Sequence, residues 1–215
     1  LLSAPHGAIT VRKSPKKFLH REDQYTAGIA LMIGKLCHTS VIANIWLTPD
    51  SDPNYHFEDY SLYKQEVRQL VQERGIKWVI DLHGVQKNSP RIGKNHLVDL
   101  GTRKGKRSLR PELVDFLKRR INQWLQGEDL VQENGYPAYE TRDFISMTAF
   151  CHQILGIEAI QIEMKPQVRI PLRRAEGKNG GRASTPKGDI APVMGMMQAL
   201  ADFVGYLHQV SENCK

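Results

Sequence analysis

Two histidines occupy the same kind of position, each directly before a glycine at the end of a predicted strand. His6 follows a short apolar run in Ala-Pro-His-Gly, and His83 ends the run Val-Ile-Asp-Leu-His-Gly. A metal site needs neutral imidazoles held on rigid elements, and strand ends provide such positions. The adjacent glycine also lets a ligand approach the backbone closely. Each histidine taken singly is more often structural, but the matching placement of the two predicts a metal site.

A carboxylate is the third ligand that such a site needs. Asp23 begins a predicted helix in Glu-Asp-Gln-Tyr-Thr, where it could simply cap the helix. It could also point into a cleft and complete a His, His, carboxylate zinc site, whose fourth position is left to water. Glu22 is the competing ligand. Asp81 shares a strand face with His83, where it could orient that ring or lie nearby in a polar cluster.

A further acidic residue ends the most strand-like run of the chain. Glu163 lies in Ala-Ile-Gln-Ile-Glu-Met, and an acid at the end of a buried strand is costly unless it is paired or functional. Beside a metal-activated water, a carboxylate can take a proton and later deliver it to a leaving amine. The sequence therefore predicts Glu163 as a general acid/base, with a salt bridge to Arg169 or Arg173 as the alternative.

Three polar residues are candidates for binding a substrate carboxylate: Asn54, Arg142 and Arg169. Arginine binds carboxylates through paired hydrogen bonds, but each of these residues could equally be a surface residue. The formal charge of +7 indicates either a solvated basic surface or the attraction of a small acidic substrate. The basic residues carry no nucleic-acid motif and no interleaved aromatic residues, so we expect no nucleic-acid partner.

Strand and helix patterns alternate along the chain. Predicted strands are Leu1–Ala4, Val41–Leu47, Lys77–Leu82, His96–Leu100 and Glu158–Met164. Predicted helices are Asp23–Cys37, Ser61–Arg74, Pro111–Leu125, Ser146–Leu155 and Ala191–Val210, and predicted loops include Lys13–Glu22 and Lys165–Asp189. This alternation predicts an α/β fold, a three-layer αβα sandwich with a mostly parallel sheet and helices on both faces. In such sheets, chemistry lies just past the carboxyl ends of the strands.

Length and composition are those of an ordinary globular chain. The 215 residues, 40% hydrophobic and 25% charged, fit one domain over residues 1–215. No apolar run approaches the ~20 residues that span a bilayer, and there is no signal-peptide pattern. The three cysteines, at positions 37, 151 and 214, lack metal-ligand spacing. We therefore expect a reducing, cytoplasmic compartment and no membrane partner.

Five short motifs in order resemble the N-formylglutamate amidohydrolase family over nearly the whole chain. They are Pro-His-Gly near the start, Asp23 with Thr26, Asp-Pro-Asn at 52–54, Asp-Leu-His-Gly at 81–84, and Gln-Ile-Glu at 161–163 with Arg169. That family is similar to zinc carboxypeptidases and aspartoacylases in fold and site. The resemblance implies a zinc-carboxypeptidase-like (phosphorylase/hydrolase-like) mixed sheet and a Zn²⁺ cofactor. It also implies His6, Asp23 and His83 as zinc ligands, with Glu163 as the catalytic acid/base.

The chain departs from the family at one motif. Where the family has Asp-x-Asn-Arg for the substrate carboxylate, this chain reads Asp-Pro-Asn-Tyr, with Tyr55 in place of arginine. Either Arg142 or Arg169 compensates, or the substrate is not N-formylglutamate. The leading hypothesis is a zinc amidohydrolase of an N-acyl amino acid such as N-formylglutamate. The alternatives are a zinc peptidase or γ-glutamyl (poly-γ-glutamate) hydrolase, and a non-catalytic binding module on a degenerate hydrolase fold.

Overall fold

The computed structural model describes residues 1–12, 18–46, 52–54, 61–141, 144–171 and 189–212. Its strands are β1 (Leu2–Ala4), β2 (Thr10–Arg12), β3 (Phe18–His20), β4 (Val41–Ala43), β5 (Trp78–Gly84), β6 (Val98–Gly101), β7 (Val131–Glu133), β8 (Glu140–Thr141), β9 (Phe144–Ile145) and β10 (Glu158–Met164). Its helices are α1 (Thr26–Leu36), α2 (Leu62–Arg74), α3 (Pro111–Trp124), α4 (Met147–Gln153) and α5 (Ala191–Glu212). Within this described part, no helix combines the length and the apolar character needed to cross a bilayer.

A six-stranded mixed sheet is the centre of the fold, in the order β4-β1-β5-β10-β6-β7. β4, β1, β5 and β10 pair in parallel, whereas β6 pairs antiparallel with β10 and parallel with β7. The carboxyl ends of β1, β5 and β10 therefore meet at one edge of the sheet. This edge is where the sequence places its candidate site residues.

Two apolar cores cover the two faces of the sheet. One contains the buried sides of α1, α3 and α5 against alternate strand residues such as Ile80 and Ile160. The other contains α2 and α4 against the intervening residues, such as Val79 and Ala159. Because successive strand side chains point to opposite faces, both faces of β5 and β10 are buried. The predicted three-layer α/β sandwich with a mostly parallel mixed sheet is confirmed.

Helix ends follow the local signals in the sequence. Ser61 caps α2 by accepting a hydrogen bond from the backbone N–H of Lys64, and Gly75 ends the helix with φ 60°. Glycine adopts this left-handed conformation without the penalty that a Cβ imposes. Pro111 lies in the first turn of α3, and Ser146 caps α4.

Several predicted boundaries were wrong. The segment Lys13–Glu22, predicted as a loop, contains β3, which forms an antiparallel hairpin with β2. The segment was predicted as a loop from its basic composition, and a strand of only three residues is too short to give a periodic pattern. The predicted strand Val41–Leu47 ends at Ala43, and His96–Leu100 becomes a strand only at Val98. In Lys165–Asp189, residues 166–168 form a turn of 3-10 helix, and residues 172–188 lie outside the described residues.

Candidate metal centre

Three side chains from separate segments converge at the carboxyl edge of the sheet. His6 follows β1, and His83 lies near the end of the neighbouring β5. Their Nδ1 atoms are 3.1 Å apart. One carboxylate oxygen of Asp23, Oδ2, lies 3.5 Å from the Nδ1 of His6 and 3.4 Å from that of His83. All three residues are buried, and their ligand atoms are close enough together to hold one metal ion.

The backbone around Asp23 directs its carboxylate to the two rings. The Asp23 N–H donates to the His6 carbonyl over 2.8 Å, which ties the start of the α1 segment to the end of β1. The residue that caps α1 is Tyr25, and no side-chain hydrogen bond caps this helix. A role in capping α1 therefore does not explain why an acidic residue stands at position 23. Glu22, the competing ligand, is exposed on the wall of the cleft.

A buried carboxylate stands behind each imidazole. The Nε2 of His6 lies 2.7 Å from the Oδ1 of Asp52, and the Nε2 of His83 lies 2.9 Å from the Oδ2 of Asp81. An Nε2–H that donates to a carboxylate leaves the lone pair of Nδ1 directed at the shared centre. Of the two placements predicted for Asp81, the contact with the His83 ring is the one observed. Asp52 was not predicted in this role, because its motif was interpreted only as a substrate-binding element.

These carboxylates make the centre attractive to positive charge. Burial opposes a charge on His6, but the Asp52 carboxylate and hydrogen bonds to Asp23 and Asp52 outweigh it and raise the pKa of His6 to about 9. Asp81 raises the pKa of His83 in the same way. The two rings in turn lower the pKa of Asp23 against the effect of its burial. Because the two Nδ1 atoms are in contact, only one proton fits between them, and a cation fits the same place.

The raised pKa of His6 predicts how the stability of the metal-free protein depends on pH. Protonated His6 stabilises the fold fully below its unfolded pKa of ~6.5, and this stabilisation is lost as pH rises through the folded value. We expect the melting temperature in the presence of a chelator to fall by roughly 6–12 °C between about pH 6.5 and pH 9.5, equivalent to about 3 kcal/mol. Thermal unfolding followed by circular dichroism measures this. His6→Gln should reduce the dependence to the part that His83 contributes, and an unchanged slope in that variant would contradict the assignment.

Glu163 faces the same centre from β10. It is directly opposite His83 in the parallel register between β10 and β5, so that the two side chains share one face. Burial raises the pKa of Glu163 to about 7, in spite of the nearby His83. The amide of Gln161 donates to its Oε1 over 2.9 Å. Among the described residues no basic side chain forms a salt bridge with Glu163, and Arg173 lies outside them. A carboxyl group with a pKa near neutrality is suited to general acid/base work.

Arg169 is held at the rim of the centre by backbone carbonyls. Its Nε donates to the carbonyl of Met164 and its Nη1 to that of Gln24, over 3.0 and 2.7 Å. The guanidinium lies on Gly84, where a Cβ would stand 2.7 Å from Cζ. The glycine after His83 therefore makes room for a cation beside the site.

The other two substrate-binding candidates have different outcomes. Asn54 is buried, lines the cleft, and accepts a hydrogen bond from the backbone N–H of Met147 over 2.9 Å through its Oδ1. Its side chain thus joins the start of α4 to the site. Arg142 lies outside the described residues, so its role stays a prediction.

A cleft of about 980 Å³ opens onto the centre. Its lining includes His6, Asp23, His83, Glu163 and Arg169, and also Arg21, Ser89, Arg91 and Tyr136. The second group was not predicted from the sequence. These residues lie in connecting segments, where no periodic pattern indicates which side chains face a cleft.

Asp52 offers a test of the carboxylates behind the rings. Asp52→Asn removes the charge behind His6, and the new amide can present its NH₂ to the ring, which favours the tautomer with the proton on Nδ1. We expect zinc affinity to fall by about 10- to 100-fold. Competition with a chelating dye of known affinity measures this. The matched control is Asp115→Asn on the exposed side of α3, and equal affinities for the two variants would argue against the role of Asp52.

Comparison with known proteins gives a fold match. No sequence-family model and no curated protein sequence matches the chain. Among solved structures, the N-formylglutamate amidohydrolase from Ralstonia eutropha JMP134 is similar, with a TM-score of 0.57 and 15% identity over 97% of this chain and 93% of that one. The succinylglutamate desuccinylase from Chromobacterium violaceum has a TM-score of 0.48 and 14% identity, over 94% of this chain and 59% of that one.

A bacteriophage poly-gamma-glutamate hydrolase has a TM-score of 0.47 and 12% identity, over 95% of this chain and 84% of that one. These two TM-scores are below 0.5, whereas the amidohydrolase from Ralstonia eutropha is similar enough to show the fold. At 15% identity, that match describes the fold and nothing finer. The fold that the resemblance implies is thereby confirmed: the chain is similar in fold to an N-formylglutamate amidohydrolase.

Proposed function

We propose that the chain is a single-domain, zinc-dependent amidohydrolase that cleaves an N-acyl amino acid such as N-formylglutamate. One observation carries this proposal: two imidazole nitrogens and one carboxylate oxygen from separate segments converge on one point, with Glu163 next to His83 across the sheet. The similarity in fold to an N-formylglutamate amidohydrolase supports it.

The donor set suits zinc. Ligands at ~2.0–2.1 Å in tetrahedral geometry are about 3.3–3.4 Å apart, and the separations here are 3.1, 3.4 and 3.5 Å. Imidazoles supported by carboxylates are the usual surroundings of a zinc ligand. Three protein ligands also leave a position open for catalysis. A zinc ion in this place would polarise the acyl carbonyl and lower the pKa of a water molecule.

The protein side chains then have separate tasks. Asp52 and Asp81 keep both rings in the tautomer that presents Nδ1. Glu163 takes a proton from the attacking water and delivers it to the leaving nitrogen. The C–N bond breaks, the water oxygen joins the acyl carbon, and the products are a free carboxylic acid and an amine. Arg169 and Asn54 bind substrate oxygens at the rim, where the guanidinium is already immobilised.

A second candidate is hydrolysis of a γ-glutamyl peptide. The cleft, at about 980 Å³, is at the upper end of the ~300–1,000 Å³ of small-molecule sites. That is more room than an N-formyl amino acid needs. An extended substrate would use the additional space, including the part lined by Arg91 and Tyr136.

Metal analysis combined with a substrate panel tests the function. We expect stoichiometric zinc in the purified chain and hydrolysis of N-formylglutamate that a chelator abolishes and zinc restores. Faster cleavage of γ-glutamyl peptides would favour the second candidate. Tight binding of either substrate without turnover would favour a non-catalytic binding module. Absence of bound metal, with no gain on adding zinc, would exclude the metal-dependent proposals.

A further inference from the structure

Two connecting segments of the cleft wall are joined to each other by hydrogen bonds. One follows β5 and carries Ser89 and Arg91, and the other follows β7 and carries Tyr136. The Ser89 hydroxyl is 2.7 Å from the Tyr136 hydroxyl. The Gln132 side chain donates to the carbonyl of Arg91 over 2.7 Å and accepts from the N–H of Gly93 over 2.9 Å. Both segments therefore have a defined position.

A buried carboxylate fixes the backbone of the segment that carries Tyr136. Asp99, on β6 and opposite Glu163 in the register with β10, accepts the backbone N–H groups of Gly135 and Tyr136, each over 2.8 Å. A Cβ at Gly135 would overlap the carbonyl oxygen of Arg91 and the side chain of Gln132. Only glycine permits this close approach, so the position of Tyr136 is built into the fold.

The two hydrogen-bonded segments present the cation of Arg91 to the cleft. The guanidinium of Arg91 lies over the Tyr136 ring, with Cζ 5.1 Å from the ring centroid. Such stacking restricts the side chain while it leaves the edge of the guanidinium available for hydrogen bonds. Among the described residues, no carboxylate lies within salt-bridge distance of Arg91. A cation that is held in place at a cleft wall without an acidic partner is suited to an anionic ligand.

We propose that Arg91, held against Tyr136, is a specificity-determining residue that binds a second carboxylate of the substrate, such as the side-chain carboxylate of an N-acylglutamate or of the next residue of a glutamyl peptide. This inference rests on the proposed function and assigns its substrate class. Arg91 also provides a cation for the substrate in a chain that has Tyr55 where the Asp-x-Asn-Arg motif has arginine. Arg21 is also an exposed cation among the described residues that line the cleft, but no hydrogen bond to a described residue holds it.

Binding of two products that differ by one charge tests the subsite. Isothermal titration of the zinc-loaded full chain should show L-glutamate binding about 10- to 100-fold more tightly than L-glutamine. Arg91→Met should remove this preference. The control Arg119→Met deletes the same charge on the exposed side of α3 and should retain the preference. In hydrolysis, Arg91→Met should raise KM for N-formylglutamate by the same factor while kcat and the KM for N-formylglutamine change little.

The outcomes separate this inference from the proposed function. A preference for glutamate that survives in Arg91→Met, or that is lost in Arg21→Met instead, overturns the assignment to Arg91. Equal use of N-formylglutamate and N-formylglutamine by the unaltered chain would retain the hydrolase and exclude the subsite. Arg91-dependent glutamate binding without hydrolysis of any amide would support the subsite and exclude the enzyme.

Discussion

Glu163→Gln should reduce kcat for amide hydrolysis by about 1,000-fold, within the range for loss of a general acid/base. The amide cannot take a proton from water or return one to the leaving nitrogen. It is close in size to the carboxyl group that it replaces, so the β10 register and the hydrogen bond from Gln161 should be retained. Zinc content and KM are expected to stay within a few-fold of the unaltered chain, because Glu163 is not among the three converging ligands.

The matched control is Glu128→Gln, the same change at an exposed position away from the cleft. Its kcat should be unchanged. The pH profile of the residual activity of Glu163→Gln should also lack the ionisation that this carboxyl group contributes. A variant that keeps most of its activity, or that loses zinc together with activity, would show that Glu163 has another role.

His83→Ala should abolish stoichiometric zinc binding and reduce activity at least as strongly as the loss of Glu163. The substitution removes one of three ligands and leaves Asp81 without its ring. A readout independent of catalysis is the stabilisation by metal. Zinc at ~1,000 times its Kd should stabilise the unaltered chain by about 4 kcal/mol. This corresponds to a rise in melting temperature of roughly 8–16 °C, which His83→Ala should lack.

His208→Ala is the control, since His208 is exposed on α5. It should retain both zinc and the stabilisation. If His83→Ala bound zinc with unchanged affinity, the convergence of the two Nδ1 atoms would be a polar contact without a metal role.

Much of the scaffold could be predicted from local patterns. The apolar runs of β5 and β10 and the matching His-Gly pairs indicated a parallel sheet with chemistry at one edge. Asp81 could be placed behind His83 because alternation along a strand puts residues two apart on the same face. Ser61 and Gly75 marked the ends of α2 because capping depends on residues close together in the chain.

Contacts between distant segments could not be predicted in this way. Asp52 reaches His6 across 46 residues, and Asp99 reaches the turn before Tyr136 from a neighbouring strand. The antiparallel direction of β6 has no local signal in the sequence, and the three-residue strands β2 and β3 are too short for a periodic one. Spacing along the sequence left Asp23 and Glu22 as competing ligands and only the resemblance favoured Asp23, whereas the backbone hydrogen bond from Asp23 to His6 is visible in the structure alone.

The sequence by itself determined the residue types available for catalysis, the alternation of strands and helices, and the strand ends that present His6, His83 and Glu163. Only the tertiary structure decided which carboxylates stand behind the rings, and that Arg91 rests on Tyr136 at the cleft wall. The physical reason is the range of the interactions. Periodicity and capping act within a few residues, whereas strand order, register and loop packing are set by the burial of whole faces of the sheet.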